Sequence, residues 1–181
     1  MSNNIKSNLG LMHIYCGHGK GKTTASLGII LRAIGCNLKV VLTQFLKDGD
    51  SSELSVLKNF ENVTILSGKE VKGFTNTMTQ YDMQSVLKTN NDHLKKAIEL
   101  CISGKCDLLV LDEIIGAINS NLVDYNILIE FLNNRPENIE VILTGRDPNK
   151  ELLEIADYVS EIKKIKHPYD NGISARYGIE K

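Results

Sequence analysis

The 181-residue chain contains no tryptophan, only three prolines, and four cysteines that are widely separated. None of the cysteines belongs to a C-x-x-C pair, and the four histidines do not cluster with them. Structural zinc and iron–sulfur sites need ligands at short, regular spacings, so the pattern argues against both kinds of site. Scattered cysteines of this type favour reduced thiols and therefore a cytoplasmic protein. The cysteines are Cys16, Cys36, Cys101 and Cys106.

An excess of charge and a long apolar run are also missing. The formal net charge is −1, and the acidic and basic residues are interspersed. A nucleic-acid partner would favour a basic surface, so the charge argues against one. No apolar run approaches the roughly 20 residues of a membrane-spanning helix, and the first residues, MSNN, do not resemble a signal peptide. We expect no membrane partner and a single domain, residues 1–181, with an ample core.

The most informative segment is the glycine-rich run YCGHGKGKTT at residues 15–24. It follows an apolar stretch typical of a buried strand and precedes a pattern with helical spacing. In such a unit, backbone N–H groups and the helix N-terminus bind phosphate, Lys22 adds a full charge, and the Thr23 hydroxyl can hold Mg²⁺. The predicted phosphate-binding residues are Gly17, His18, Gly19, Lys20, Gly21, Lys22, Thr23 and Thr24.

The loop departs from the common phosphate-loop pattern in its length. The pattern G-x-x-x-x-G-K-[ST] would place a glycine where this chain has Cys16, and the first glycine is Gly17. The loop is therefore one residue tighter. This difference predicts that the phosphates lie differently from those in a common ATPase, although a glycine-rich turn without a ligand is the simpler alternative.

Strand-like and helix-like segments alternate along the chain. This alternation predicts parallel strands with helices on both faces, and with the phosphate loop it predicts a P-loop NTPase-like (RecA-like) α/β three-layer sandwich with a mostly parallel six-stranded sheet. The predicted strands are Leu11–Cys16, Leu38–Phe45, Val63–Leu66, Leu108–Leu111, Glu140–Leu143 and about Tyr158–Ile165. The predicted helices are Thr23–Ile34, Ser52–Asn59, Gln80–Ser103, Asp124–Asn133 and Lys150–Asp157.

Two acidic residues, Asp112 and Glu113, follow the apolar strand at 108–111. Ligand sites in open α/β sheets lie at the carboxyl ends of the strands, so these acids can reach a Mg²⁺ ion held by Thr23. Alternatively, one of them caps the next short helix, since acids favour helix N-termini. One acid could contact Mg²⁺ while the other caps the helix.

Arg146 follows the strand at 140–143 and is expected at the same edge of the sheet. Its guanidinium suits bidentate contact with phosphate. The alternative is a surface arginine that pairs with Asp147 or with a helix carboxylate. Gln44 and Lys47 end the second strand and are further, weaker candidates for the same cleft.

These segments and several others resemble the P-loop class of bacterial ATP:corrinoid adenosyltransferases over nearly the whole chain. The one-short loop is itself a trait of that family. The segments that carry the resemblance are GHGKGKTT at 17–24, GFT at 73–75, VLDE at 110–113, NRP at 134–136, LTGR at 143–146, KHPYD at 166–170, GI at 172–173 and GIE at 178–180.

The resemblance implies that Co(I) of cobalamin, or of cobyrinic acid a,c-diamide, attacks C5′ of ATP and that the whole triphosphate leaves. Co(I) has no proton to lose, so the reaction needs a stabilised leaving group and no general base. Lys20, Lys22, Arg146, Mg²⁺ and the loop amides would supply that stabilisation. The resemblance further implies Mg²⁺ contacts from Thr23 and Glu113, a homodimer, and a flavoprotein-type reductase as partner.

The resemblance also assigns a role to Phe74. It matches an aromatic that the family places against the corrin to displace the lower axial ligand, which makes Co(II) easier to reduce. Related sequences have a tryptophan two residues later, where this chain has Asn76. We expect Lys22, Arg146 and Phe74 to be the catalytic residues.

Two other functions compete with the transferase. A P-loop ATPase or kinase would release ADP, and it would normally need a full-length loop and a group that positions the attacking atom. A nucleotide-gated corrinoid carrier without catalysis is the second alternative, and Asn76 is the feature that favours it.

Overall fold

The computed structural model describes residues 6–47, 49–68 and 78–180. Six strands form one sheet with the order β3-β2-β4-β5-β1-β6. All five strand pairings are parallel, which confirms and sharpens the prediction of a mostly parallel sheet. The strands are β1 (Met12–Cys16), β2 (Val40–Gln44), β3 (Val63–Ser67), β4 (Leu108–Asp112), β5 (Glu140–Thr144) and β6 (Tyr158–Glu161).

Helices connect the parallel strands, as parallel pairing requires. The α-helices are α1 (Lys22–Gly35), α2 (Ser52–Leu57), α3 (Gln80–Ile102), α4 (Ile114–Asn119), α5 (Tyr125–Asn134) and α6 (Lys150–Ile155), and a 3-10 helix spans Pro168–Asn171. The predicted helices lie within a few residues of the observed ones, except that α4 was not among them. It has only six residues directly after β4, which is too short for a helical period to show.

Strands β2, β4 and β5 are buried on both faces, whereas the edge strand β6 is exposed. The alternation of side chains in the central strands builds two apolar layers. In β4, Leu109 and Leu111 pack with buried residues of α3, α4, α5 and α6. Leu108 and Val110 point the other way and pack with buried residues of α1 and α2. Each layer removes one face of the sheet from water, which confirms the three-layer α/β architecture.

The carboxyl ends of four central strands lie along one edge of the sheet. They are Cys16 of β1, Gln44 of β2, Asp112 of β4 and Thr144 of β5. Strand β5 lies between β1 and β4, so Thr144 is between the glycine-rich loop that follows β1 and the acids that end β4. Parallel pairing therefore gathers the predicted site residues at this edge.

Strand β6 is shorter than predicted, because it ends at Glu161 rather than near Ile165. The Ile162 amide still donates to the Cys16 carbonyl at 2.8 Å, but the Ile162 carbonyl accepts from the amide of Gly19 in the loop. The chain after β6 thus leaves the sheet to pack under the glycine-rich loop. Apolar residues there predicted a longer strand, but the contact with the loop is made by the backbone carbonyl of Ile162, and the Ile165 side chain is exposed.

In the described part of the chain, no helix is long and apolar enough to cross a membrane. The four cysteines are free thiols, and Cys36 is the exposed one.

Candidate nucleotide-binding site

The glycine-rich loop lies directly against the segment that follows β6. The Gly19 amide donates to the Ile162 carbonyl at 2.7 Å. A Cβ atom on Gly17 would stand 2.6 Å from that carbonyl oxygen, and one on Gly19 would stand 2.7 Å from it. Gly17 also has a φ of +102°, which disfavours side chains. The first two glycines of the loop therefore permit a backbone contact that any side chain would obstruct.

Lys22 opens α1 and extends back into the loop. Its Nζ donates to the carbonyl oxygens of Gly17 at 2.8 Å and Gly19 at 3.0 Å. The residue is buried, and burial lowers the pKa of its ammonium; the nearby Arg146 charge acts in the same direction, and Glu113 opposes both. A cation held at the centre of the loop, beside the positive end of α1, is suited to bind phosphate.

Asp112 joins the loop helix to three strands. Its carboxylate is fully buried. Oδ1 accepts hydrogen bonds from the hydroxyls of Thr23 at 2.9 Å and Thr144 at 2.8 Å. Oδ2 accepts from Lys47 Nζ at 2.8 Å and, more weakly, from Gln44 Nε2 at 3.4 Å. Both oxygens are thus engaged by protein donors, and the Thr23 hydroxyl is oriented with its proton toward Asp112.

Glu113 occupies the N-cap position of α4 in a left-handed conformation, with a φ of +61°. Its amide donates to Thr144 Oγ1 at 2.8 Å, and its side chain makes no capping hydrogen bond to the helix. The side chain instead lines the cleft over the loop. Burial, followed by the neighbouring Asp112 charge, raises the pKa of the Glu113 carboxyl. A cation bound in the cleft would relieve both effects.

Arg146 lines the same cleft. The alternative of a pair with Asp147 is not what the structure shows, because the Asp147 carboxylate is 3.3 Å from His18 Nε2. The loop after β5 is fixed by Asn119 Nδ2, which donates to the carbonyls of Arg146 at 3.0 Å and Asp147 at 3.1 Å. His18 is exposed and also lines the cleft.

The cleft over the loop has a volume of about 400 Å³, and the C-terminal segment forms its second wall. Sequence reasoning missed this wall as a set of site residues, although its segments carried part of the family resemblance. The residues from this segment that line the cleft include Pro168, Tyr169, Ile173, Arg176, Ile179 and Glu180. Arg176 and Glu180 form an ion pair at 2.8 Å.

The family described as ATP:corrinoid adenosyltransferase BtuR/CobO/CobP matches residues 8–180 of this chain. The chain belongs to this family. The corrinoid adenosyltransferase of Escherichia coli K12 is 31% identical over 173 residues, which cover 94% of this chain and 85% of that protein. The corrinoid adenosyltransferase of a Sinorhizobium species is 34% identical over 174 residues, with coverage of 94% and 80%. The family resemblance and the expectation of an enzyme are confirmed.

Among solved structures, a KaiC-like protein from the archaeon Pyrococcus horikoshii has a similar fold. The TM-score is 0.50 at 15% sequence identity, and the match covers 87% of this chain and 74% of that protein. Identity this low speaks for the fold alone. It agrees with the predicted α/β fold.

Two further predictions concern the residues that would bind Mg²⁺ and the residues that would face the corrin. The described residues contain no group of three or more histidines, cysteines, aspartates or glutamates that could enclose a metal ion. Mg²⁺ seldom needs such a group, because it keeps water and phosphate oxygens and takes only one or two protein ligands. The Thr23 hydroxyl and the Glu113 carboxylate fit that requirement. Phe74 and Asn76 lie outside the described residues, so their predicted role against the corrin stays a prediction.

Proposed function

We propose that the protein transfers the 5′-deoxyadenosyl group of ATP to Co(I) of a corrinoid, either cobalamin or cobyrinic acid a,c-diamide, and releases triphosphate. The observation that carries the proposal is the cleft over the tight glycine-rich loop, in a chain that belongs to the adenosyltransferase family. The Gly19 amide of that loop donates a hydrogen bond to the Ile162 carbonyl. The substrate chemistry follows from the family, and the roles below follow from the cleft.

The reaction forms one bond and breaks one. The electron pair of Co(I) attacks C5′ of ATP, a Co–C bond forms, and the bond between C5′ and the triphosphate oxygen breaks with its electron pair leaving on the triphosphate. No proton moves at the reacting carbon, so the protein has to orient the nucleotide and stabilise the growing negative charge.

Cationic side chains surround the place where that charge would develop. Lys22 is held at the loop by two carbonyl oxygens, and Lys20, Arg146 and Arg176 line the same cleft. Donors that are positioned before the reaction act most strongly in a partly dry cleft. We assign Lys22 and Arg146 to the leaving triphosphate.

The cleft also suits Mg²⁺, which when bound would neutralise phosphate charge. Thr23 and Glu113 would hold the ion, since the Thr23 proton points to Asp112 and leaves oxygen lone pairs for a metal. Asp112 is fully buried, and its oxygens accept hydrogen bonds from protein donors. We therefore assign Asp112 to positioning Thr23 rather than to direct metal contact.

The proposal extends to features that rest on the family resemblance, on the chain length or on the scattered cysteines. These are the placement of Phe74 against the corrin, a single domain over residues 1–181, a homodimer, a cytoplasmic location and electron supply by a flavoprotein-type reductase.

The role of Phe74 has its own test. Phe74→Ala should reduce turnover that starts from Co(II) more than turnover that starts from prepared Co(I), because removal of the axial ligand matters only for the reduction.

The experiment that tests the function is incubation of the protein with ATP, Mg²⁺ and chemically reduced corrinoid. Mass spectrometry of the corrinoid should show the added 5′-deoxyadenosyl group, and light should cleave the new Co–C bond. Binding of corrinoid without an adenosylated product would favour the carrier. ADP formation without a change in the corrinoid would favour an ATPase or kinase.

A further inference from the structure

Two lysines each pair with a buried aspartate at opposite ends of β4. Before the strand, Lys6 Nζ contacts Asp107 Oδ1 at 2.8 Å. At the end of the strand, Lys47 Nζ contacts Asp112 Oδ2 at 2.8 Å. The second pair is connected to the nucleotide cleft through Thr23, which lines the cleft and donates a hydrogen bond to Asp112.

Lys47 belongs to a small polar network beneath the cleft. Its ammonium also lies 3.6 Å from Glu53 Oε1, and its side chain is 24% exposed. Gln44 Nε2 bridges the two carboxylates, with distances of 3.0 Å to Glu53 and 3.4 Å to Asp112. Lys47 is thus a cation between two acids, and the buried one is tied to the phosphate loop.

We propose that Lys47 is a positioning residue for the Mg²⁺–nucleotide site: it occupies Asp112 Oδ2 and so commits Oδ1 to holding the Thr23 hydroxyl. This inference rests on the proposed function only in taking Mg²⁺·ATP as the ligand of the cleft.

The physical reason is the cost of a buried carboxylate. Asp112 has no exposed surface, so its charge must be compensated within the protein. The Lys47 ammonium supplies that charge and donates to Oδ2, so that Oδ1 remains the acceptor for the Thr23 hydroxyl. Thr23 is left as the group that faces the metal, with its proton fixed toward Asp112.

Residues that orient a metal ligand typically change metal affinity by about 10- to 100-fold when they are replaced. Lys47→Met removes the charge at nearly constant side-chain length. We expect the Mg²⁺ concentration that half-saturates turnover to rise by about tenfold or more, with a smaller change in the KM for ATP once Mg²⁺ is saturating.

The decisive readout is nucleotide binding without turnover. A fluorescent ATP analogue is titrated into each variant with excess Mg²⁺ and again with EDTA. Lys47→Met should bind the analogue in EDTA as the wild type does and should lose most of the gain in affinity that Mg²⁺ provides. Because no corrinoid is present, this result decides the role of Lys47 even if adenosyl transfer itself is not observed.

Lys6→Met is the matched control, since it also removes the lysine partner of a buried aspartate at an end of β4, where the Lys39 amide still donates to Asp107. It should lower the thermal stability without changing the Mg²⁺-dependent gain. An equal loss of that gain in both variants, or no loss in Lys47→Met, would overturn the proposal.

Two more variants cover the case in which Lys47→Met does not fold. Lys47→Gln retains a donor for Asp112 without the charge, so it should fold and still need more Mg²⁺; an unchanged Mg²⁺ requirement would overturn the proposal. Lys47→Arg restores the charge and should recover most of the Mg²⁺-dependent gain.

Discussion

The amide of Gly19 donates a 2.7 Å hydrogen bond to the carbonyl of Ile162 and joins the phosphate loop to the segment that follows the edge strand. This contact gives a structural reason for the tight, glycine-alternating loop. The loop rests on backbone atoms of another segment, and there is no room between them for a side chain.

Gly19→Ala should therefore damage nucleotide binding. The added Cβ would stand 2.7 Å from the Ile162 carbonyl oxygen and 2.8 Å from that of Lys163, so the loop has to move. We expect ATP affinity, measured by calorimetry, to fall by about tenfold or more, a loss of ~1.4 kcal/mol. Gly28→Ala in α1 is the control, because its Cβ would meet nothing within 4 Å, and it should be neutral or stabilising by about 0.5–1 kcal/mol. Equal affinities for Gly19→Ala and Gly28→Ala would contradict the account of the loop.

Lys22→Ala and Glu113→Ala should each abolish most turnover and leave the fold intact. Lys22 would lose contact with the leaving triphosphate and Glu113 would lose contact with the metal. Removal of one preorganised charge contact typically costs about 10²–10³ in rate. Lys150→Ala removes an exposed lysine that pairs with its helix neighbour Glu154, and it should retain full turnover. Near-wild-type rates in either site variant, with a native circular dichroism spectrum, would refute that assignment.

The C-terminal wall should be needed for binding but not for folding. The 3-10 helix at Pro168–Asn171 contains no buried residue, so truncation after Lys166 should change the melting temperature little. ATP affinity should nevertheless fall, because one side of the cleft is lost. Arg176→Gln alone should weaken binding of inorganic triphosphate, whereas Arg32→Gln, on α1 away from the cleft, should not. A truncated protein that binds ATP as the full chain does would exclude the wall from the site.

A pH-dependent contribution to stability is expected at the opposite edge of the sheet. Burial alone would raise the pKa of Glu140, but hydrogen bonds from His13 and from the Gly10 and Leu11 amides outweigh it and lower the pKa below its ordinary value. A lowered pKa in the folded state stabilises the protein above the unfolded-state pKa of about 4.3, and that stability is lost as the pH falls through the folded-state pKa.

Glu140→Gln should accordingly cost about 1–3 kcal/mol at pH 7, the scale of hydrogen bonds to a charged group. Urea denaturation of both proteins at pH 7 and again below pH 4 measures the effect. The difference in the free energy of unfolding should shrink at the lower pH. A difference that stays constant over this range would show that the charge of Glu140 is not its cause.

The sequence was sufficient to predict a mostly parallel sheet with helices on both faces, and to predict that Glu113 and Arg146, which follow strand ends, lie at one cleft. Strands of a parallel sheet have their carboxyl ends at one edge. The apolar runs that precede Asp112 and Arg146 therefore predict that both residues lie at that edge. Local patterns could not predict contacts that depend on the path of a segment far away in sequence. Ile162 lies 143 positions after Gly19 in sequence, and its apolar neighbours predicted a continued strand.

Local patterns also could not predict that Lys47 and Thr144 contact Asp112. Thr144 reaches the buried Asp112 because β5 lies next to β4 in the sheet. Lys47 reaches it because of the turn that follows β2. A polar residue at the end of an apolar strand was the available signal. It marks a residue as a candidate for the cleft without giving its partner.

The most direct measurement for the central claim is phosphorus NMR of the completed reaction with ATP, Mg²⁺ and Co(I) corrinoid. Transfer of the adenosyl group from C5′ predicts inorganic triphosphate in an amount equal to the adenosylated corrinoid. ADP and phosphate as the main products would contradict the account, because they require cleavage between phosphates rather than at C5′.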